Sequence, residues 1–154
     1  QFLKEQVDCR EFGIDLEEVA NYHQLTVEEV IDYHLQPKYF VHMLGFSPGF
    51  PYLGGLNRKI ATPRKKTPRM KVLAGSVGIA GEQTGVYTID SPGGWQIIGR
   101  TPVPLYDPRK EPPVLLRPFD YVKFEKITFQ EYEKLSNDIF HNKYEVKIEW
   151  GTKK

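Results

Sequence analysis

Apolar positions follow a helical period twice near the start of the chain. Leu16, Val19 and Ala20 form a short stripe within a run that opens Asp15-Leu16-Glu17-Glu18. Val27, Val30 and Ile31 form a second behind Thr26-Val27-Glu28-Glu29, with Pro37 past its end. Each run opens on a capping-box pattern, with Asp15 or Thr26 as cap and Glu18 or Glu29 reaching back to it. The spacing predicts two short helices in an αα-hairpin. A third box, Thr128-Phe129-Gln130-Glu131, opens a helix whose face is Phe129, Tyr132, Leu135 and Ile139. Other segments read as strands: residues 2–9 alternate loosely, and 39–44 leave the hairpin. Residues 121–126 follow, and 144–150 set Tyr144, Val146, Ile148 and Trp150 against Glu145, Lys147 and Glu149 as a half-buried strand.

Between residues 45 and 118 the helical period disappears. Short β-type runs at 76–80, 84–89 and 95–100 sit between glycine and proline punctuation, which predicts a compact β-barrel or curled sheet. Most of the thirteen glycines fall between Leu44 and Pro102, interleaved with aromatics and prolines. Glycine permits close approach, proline fixes turns and aromatics supply rigid contact area, so the turns of this segment are chemically specified. The proline-rich stretch 102–118 is expected to wrap the surface as an ordered connection.

A length of 154 residues suits one domain, or one domain with an appendage. Twenty-one basic residues against twenty acidic ones give a net charge of +1, too little surplus for a nucleic-acid partner. One stretch departs from that balance. Arg58, Lys59, Arg64, Lys65, Lys66, Arg69 and Lys71 run without an acidic residue among them, as either a solvated loop or an anion-binding patch. Cys9 is the only cysteine, which excludes an intrachain disulfide and fits a reducing compartment. No apolar run approaches the roughly 20 residues of a membrane span, and the first ten residues are too polar for a signal peptide. A cytoplasmic protein, or a piece of a longer one, is expected.

Candidate chemistry narrows by exclusion. Neither a P-loop nor a dinucleotide fingerprint occurs, so no nucleotide is expected on this chain. The four histidines are scattered without metal-ligand spacing. His34 falls on an apolar stripe and reads as a hydrogen-bonded core histidine, whereas His42 leads into the glycine segment as a possible proton carrier. Ala74-Gly75-Ser76-Val77-Gly78 resembles a nucleophile elbow, but more β sequence follows where a helix should, so Ser76 reads as a turn serine. Asp8 beside Cys9 disfavours the thiolate, leaving a structural cysteine. A fuller constellation is Gln83, Thr84 and Arg100 with Phe46, Phe50, Tyr52 and Trp95. Gln and Thr can hydrogen-bond an amide or ureido group, Arg can clamp a carboxylate, and aromatic walls exclude water. The same aromatics serve equally well as barrel core, with Arg100 in a surface ion pair.

Several multi-residue motifs carry a resemblance. They are Leu44 to Gly55, Gly75 to Gly85, Ser91 to Pro102, Gly13 to Ala20, Ala61-Thr62-Pro63-Arg64, Thr67-Pro68-Arg69, Leu105-Tyr106-Asp107-Pro108 and Leu115-Leu116-Arg117-Pro118. In this order they resemble the family of the bacterial 5-oxoprolinase B subunit, also called allophanate hydrolase subunit 1, which includes the Kip-type histidine-kinase inhibitor. The resemblance implies a mainly β fold with flanking helices: a cyclophilin-like β-barrel over residues 44–154, preceded over 1–43 by a short helical hairpin, the remnant of an N-terminal lobe. It also implies one component of an ATP-dependent lactam hydrolase, inactive alone, that opens 5-oxo-L-proline to L-glutamate with the A and C subunits of 5-oxoprolinase. ATP would be used by the complex, with no cofactor on this chain. The alternatives are inhibition of a sensor histidine kinase through an aromatic surface around Phe46 to Tyr52, and an allophanate, urea or carboxyltransferase activity. Within the enzyme reading, Arg100 or the Arg64 to Arg69 segment would take the substrate carboxylate or a phosphorylated intermediate. Gln83 and Thr84 would orient the lactam, and Tyr52 and His42 would handle protons.

Overall fold

The computed structural model describes residues 2–7, 12–143 and 148–149. Cys9, the last two residues of the strand expected over 2–9, and positions 144–147 and 150 of the expected tail strand lie outside the described residues.

Strand β1 (Phe2–Val7) enters the fold, followed by helices α1 (Leu16–His23) and α2 (Val27–Leu35). Strands β2 (Tyr39–Leu44), β3 (Pro51–Gly54), β4 (Arg69–Val72), β5 (Ser76–Ala80), β6 (Gln83–Val86), β7 (Ser91–Gly93), β8 (Gln96–Arg100) and β9 (Tyr121–Lys126) come next. Helix α3 (Phe129–Phe140) and strand β10 (Ile148–Glu149) end it. Eight strands form one curled sheet in the order β10-β1-β9-β2-β3-β6-β5-β8, while β4 and β7 make a separate ribbon. β1 runs parallel to β9, and the other ladders are antiparallel. The architecture is mainly β with flanking helices.

Alternation along the strands sends two sets of side chains to opposite faces. Leu53, Val77, Ile79, Val86 and Ile98 face the helical hairpin and pack with Leu16, Val19, Val30 and Ile31 in the larger core. Phe50, Val72, Ala80, Tyr87, Trp95 and Ile97 form a second layer on the other face. That layer needs glycine beneath it. Gly78 and Gly85 pair across β5 and β6. A β-carbon at Gly85 would lie 2.9 Å from both the Phe50 ring and the Pro51 carbonyl, and one at Gly78 would lie 3.0 Å from Trp95 Cβ.

Thr26 builds the full capping box with Glu29. Thr128 accepts from Glu131 N at 3.1 Å. The box expected at Asp15 does not form: Asp15 precedes α1 but makes no side-chain cap hydrogen bond, and Glu18 turns instead to Lys65 at 3.0 Å. Tertiary partners outcompete the local one. The α3 face is only half-buried, its Tyr132 resting 4.7 Å from the Phe12 ring. The 102–118 connection is ordered and drives Val103, Leu105 and Leu116 into the interior. Three strands went unforeseen, β3, β4 and β7. No helix among the described residues is long and apolar enough to cross a membrane.

Candidate functional site

Asp15 organises the region where the hairpin meets the sheet. Its side chain is 4% exposed. Oδ1 accepts from Arg69 Nη2 at 2.5 Å, and Oδ2 accepts from Arg69 Nη1 and from the Ile97 amide, both at 2.7 Å. Lys65 Nζ adds a longer contact at 3.4 Å, and the Asp15 amide donates to Ile97 O at 2.8 Å. Burial alone would raise this carboxyl. The Arg69 hydrogen bonds, the Ile97 amide and the charges of Arg69 and Lys65 outweigh burial and hold it below its ordinary value of 3.8. One carboxylate therefore ties the start of α1 to β8 and to the ribbon strand β4.

A cleft of about 440 Å³ opens beside this tie, between α1 and the 62–67 segment. Glu18 and Tyr22 line one wall, Thr62 to Thr67 the other, with Gln96 between them. The segment is braced by His23, whose Nε2 donates to Ala61 O at 2.7 Å, and by Lys65 N donating to Gly94 O at 2.7 Å. Gln96 donates through Nε2 to Pro63 O at 3.1 Å. Lys65 is committed to Glu18 and Asp15, whereas no carboxylate among the described residues pairs with Arg64 or Lys66. The Arg64 guanidinium lies 5.8 Å from the Trp95 ring, a cation–π position that leaves its N–H edge free. Two uncommitted cations beside a cleft attract an anion.

Trp95 joins the cleft to the aromatic layer. Phe50, fully buried, touches Phe46, Tyr52, Tyr87 and Trp95 at centroid distances between 5.1 and 5.4 Å, and Tyr52 lies 6.2 Å from Trp95. Phe46 is 64% exposed at a φ of +65°, a conformation rare for a bulky side chain. Tyr87 lies in the layer with its hydroxyl buried, and burial raises its pKa against the opposing pull of the Trp95 backbone.

The structure thus brings together five of the sequence-derived residues, Phe46, Phe50, Tyr52, Trp95 and Arg64. Others sit apart from them. Thr84 is fully buried on the opposite face, where its hydroxyl donates to Gly78 O at 2.8 Å and accepts from His34 Nε2 at 2.9 Å. That donation fixes His34 as the Nε2–H tautomer, and burial lowers its pKa to about 3. His34 is the packed, hydrogen-bonded core histidine that the stripe implied. Arg69 is held by Asp15 and so positions β4, rather than standing free for an anion. Arg100 donates from Nε to Ala74 O at 3.3 Å and lines a different pocket. Gln83 is half-buried at the β5–β6 turn, with no side-chain hydrogen bond among the described residues. His42 is exposed, its ring taking the space a side chain at Gly54 would need and lying 5.1 Å from Phe40. Asp15, His23, Lys66, Tyr87 and Gln96 were not singled out as site residues from the sequence, where Asp15 read only as a helix cap. Lys66 was visible only as one member of the basic run, and the partners of the others are distant in the chain.

The family model described as carboxyltransferase domain, subdomain C and D, matches residues 7–116. The chain belongs to that family. Within it, the chain is 60% identical over 122 residues to the 5-oxoprolinase B subunit of Bacillus subtilis, an alignment covering 79% of this chain and 51% of that protein. It is 54% identical over 114 residues to the 5-oxoprolinase B subunit of Haemophilus influenzae, covering 74% and 54%. The chain therefore spans about half the length of these curated relatives. Among solved structures, a conserved uncharacterized protein of Pyrococcus horikoshii superposes with a TM-score of 0.82 at 54% identity, over 85% of this chain and 61% of that one. The urea amidolyase of Kluyveromyces lactis gives 0.79 at 23% identity, over 96% and 11%, and so shares the fold. This carboxyltransferase-domain chain thus carries its basic cleft and its aromatic layer within the stretch that the family model matches.

Proposed function

We propose that this carboxyltransferase-domain chain acts as part of the B subunit of an ATP-dependent 5-oxoprolinase, which opens 5-oxo-L-proline to L-glutamate together with the A and C subunits. The observation that carries the proposal is the 60% identity over 122 residues to a 5-oxoprolinase B subunit. A lactam is a poor electrophile, so activation by ATP is expected, and in this reading the nucleotide is bound by a partner subunit.

In this reading Arg64 and Lys66 hold the substrate carboxylate, or the anionic oxygens of a phosphorylated intermediate, at the mouth of the cleft. Trp95, behind the cleft lining, orients the Arg64 guanidinium. Gln96 presents its carboxamide to the lactam, the part that residue chemistry alone suggested for Gln83 and Thr84. Tyr52, one ring beyond Trp95, is the nearer candidate for proton transfer. His42, exposed over Gly54, is the second.

Glutamate release from 5-oxoproline and ATP, measured with the A and C subunits in the presence and absence of this chain, tests the proposal. Release that needs both the chain and ATP is the expected result. No release, in an assay where a full-length B subunit is active, would overturn it for this chain.

A further inference from the structure

A second pocket lies on the other side of the Asp15–Arg69 tie, and the cleft reading does not use it. Its volume is about 250 Å³. Phe12 and Ile14 from the segment before α1, Val72 and Leu73 from the end of β4, and Ile97 from β8 form apolar walls. Into this setting project the half-buried Arg100 and the hydroxyl-bearing Ser76.

The bonding of Arg100 is one-sided. Nε donates to the Ala74 carbonyl at 3.3 Å, and one face of the guanidinium lies 5.7 Å from the Phe12 ring centroid. No hydrogen bond or ion pair among the described residues takes its two terminal nitrogens. The other cations at the pocket are already matched: Arg69 by Asp15, and Lys71 by Asp90 at 3.6 Å. Asp90 receives the Ala74 amide at 2.8 Å and feels Arg100 only through space. The Ser76 hydroxyl has no hydrogen-bond partner among the described residues. An arginine stays charged at every physiological pH, and in apolar surroundings its open edge favours a bidentate carboxylate. Apolar walls around a few convergent polar groups are the usual make-up of a small-molecule site.

We propose that this pocket binds a small organic monocarboxylate. The carboxylate takes the open edge of Arg100 and the Ser76 hydroxyl, and a compact ring or branched apolar body fills the space between Phe12, Ile14, Leu73 and Ile97. None of its polar contacts belongs to the Arg64–Lys66 cleft, so failure of that cleft assignment would leave this pocket untouched.

Calorimetric titration of the full chain with cyclopentanecarboxylate tests it, with neutral cyclopentylmethanol as the uncharged control. Saturable binding of the acid alone is expected. Affinity should fall about tenfold or more in Arg100→Gln, and less in Arg100→Lys, which keeps the charge but loses the fork. Leu73 is 42% exposed, so Leu73→Trp should block the mouth without disturbing the interior, giving the same loss by a route that leaves Arg100 intact. Circular dichroism establishes that each variant is folded. Absence of saturable binding, or wild-type affinity in folded Arg100→Gln or folded Leu73→Trp, would overturn the proposal. Displacement of cyclopentanecarboxylate by 5-oxoproline would support the pocket and shift the carboxylate contact of the substrate from Arg64 to Arg100.

Discussion

Asp15 is the residue whose loss should be felt most widely, because its four side-chain hydrogen bonds reach three different parts of the chain. Removing one partner of a buried pair leaves the other charge uncompensated, so Asp15→Ala should cost about 3 kcal/mol in urea unfolding at pH 7. Its pH behaviour follows from the lowered carboxyl. The tie is fully stabilising above the ordinary carboxylate value of 3.8 and is lost as pH falls below that range. His34 acts earlier in an acid titration. Its folded value lies near 3 against 6.5 in an unfolded chain, so the unfolded state takes up the proton first. Stability contributed by the neutral ring is therefore complete above about pH 6.5 and declines toward pH 3. Urea midpoints at pH 7.5 and pH 5 should differ more for the wild type than for His34→Gln, whose amide can still donate to Thr84. Equal differences in the two proteins would contradict this assignment. Asp15 also shows where a local pattern misleads. Asp followed three residues later by Glu reads as a capping box, yet the groups that claim this carboxylate lie 50 to 82 residues away.

Elements with clean periodicity were legible and the punctuated ones were not. α1 and α2 carry apolar stripes at helical spacing, β2 and β9 are uninterrupted by glycine or proline, and their spans agree with the reading. β3 opens on Pro51 and ends on Gly54, so no strand was expected there, although proline at the first residue of a strand removes no needed donor. β4 and β7 are four and three residues long, too short for a period of two to show. The glycines of β5 and β6 read correctly as markers of close approach, but which rings approach them required the fold. Phe50 and Trp95 lie directly over the Gly78–Gly85 pair. Gly85→Ala should accordingly push Phe50 out of place and cost about 2 kcal/mol, with a loss of near-ultraviolet circular dichroism from the aromatic layer. A variant as stable as the wild type, with an unchanged spectrum, would show that the layer is looser than described.

At the scale of the whole molecule, the two faces of the sheet divide the labour. The hairpin face carries most of the core. The ribbon side carries the aromatic layer, and the basic cleft and the Arg100 pocket lie on either side of the Asp15–Arg69 tie. Residue chemistry in the sequence pointed to cations, amides and aromatics, and the fold sorted them. Arg64 and Arg69 were indistinguishable in the basic run until Asp15 claimed one and left the other over Trp95. Thr84 had the right functional group on the wrong side of the sheet, a difference that one residue of strand register decides. If Arg64 and Lys66 bind the anion of the substrate, the most direct measurement is the kinetics of glutamate release by the assembled enzyme carrying Arg64→Gln with Lys66→Gln. Assembly should be unchanged and KM for 5-oxoproline raised about tenfold or more, the loss of a charge-assisted contact. An assembled double variant with wild-type KM and kcat would contradict that assignment.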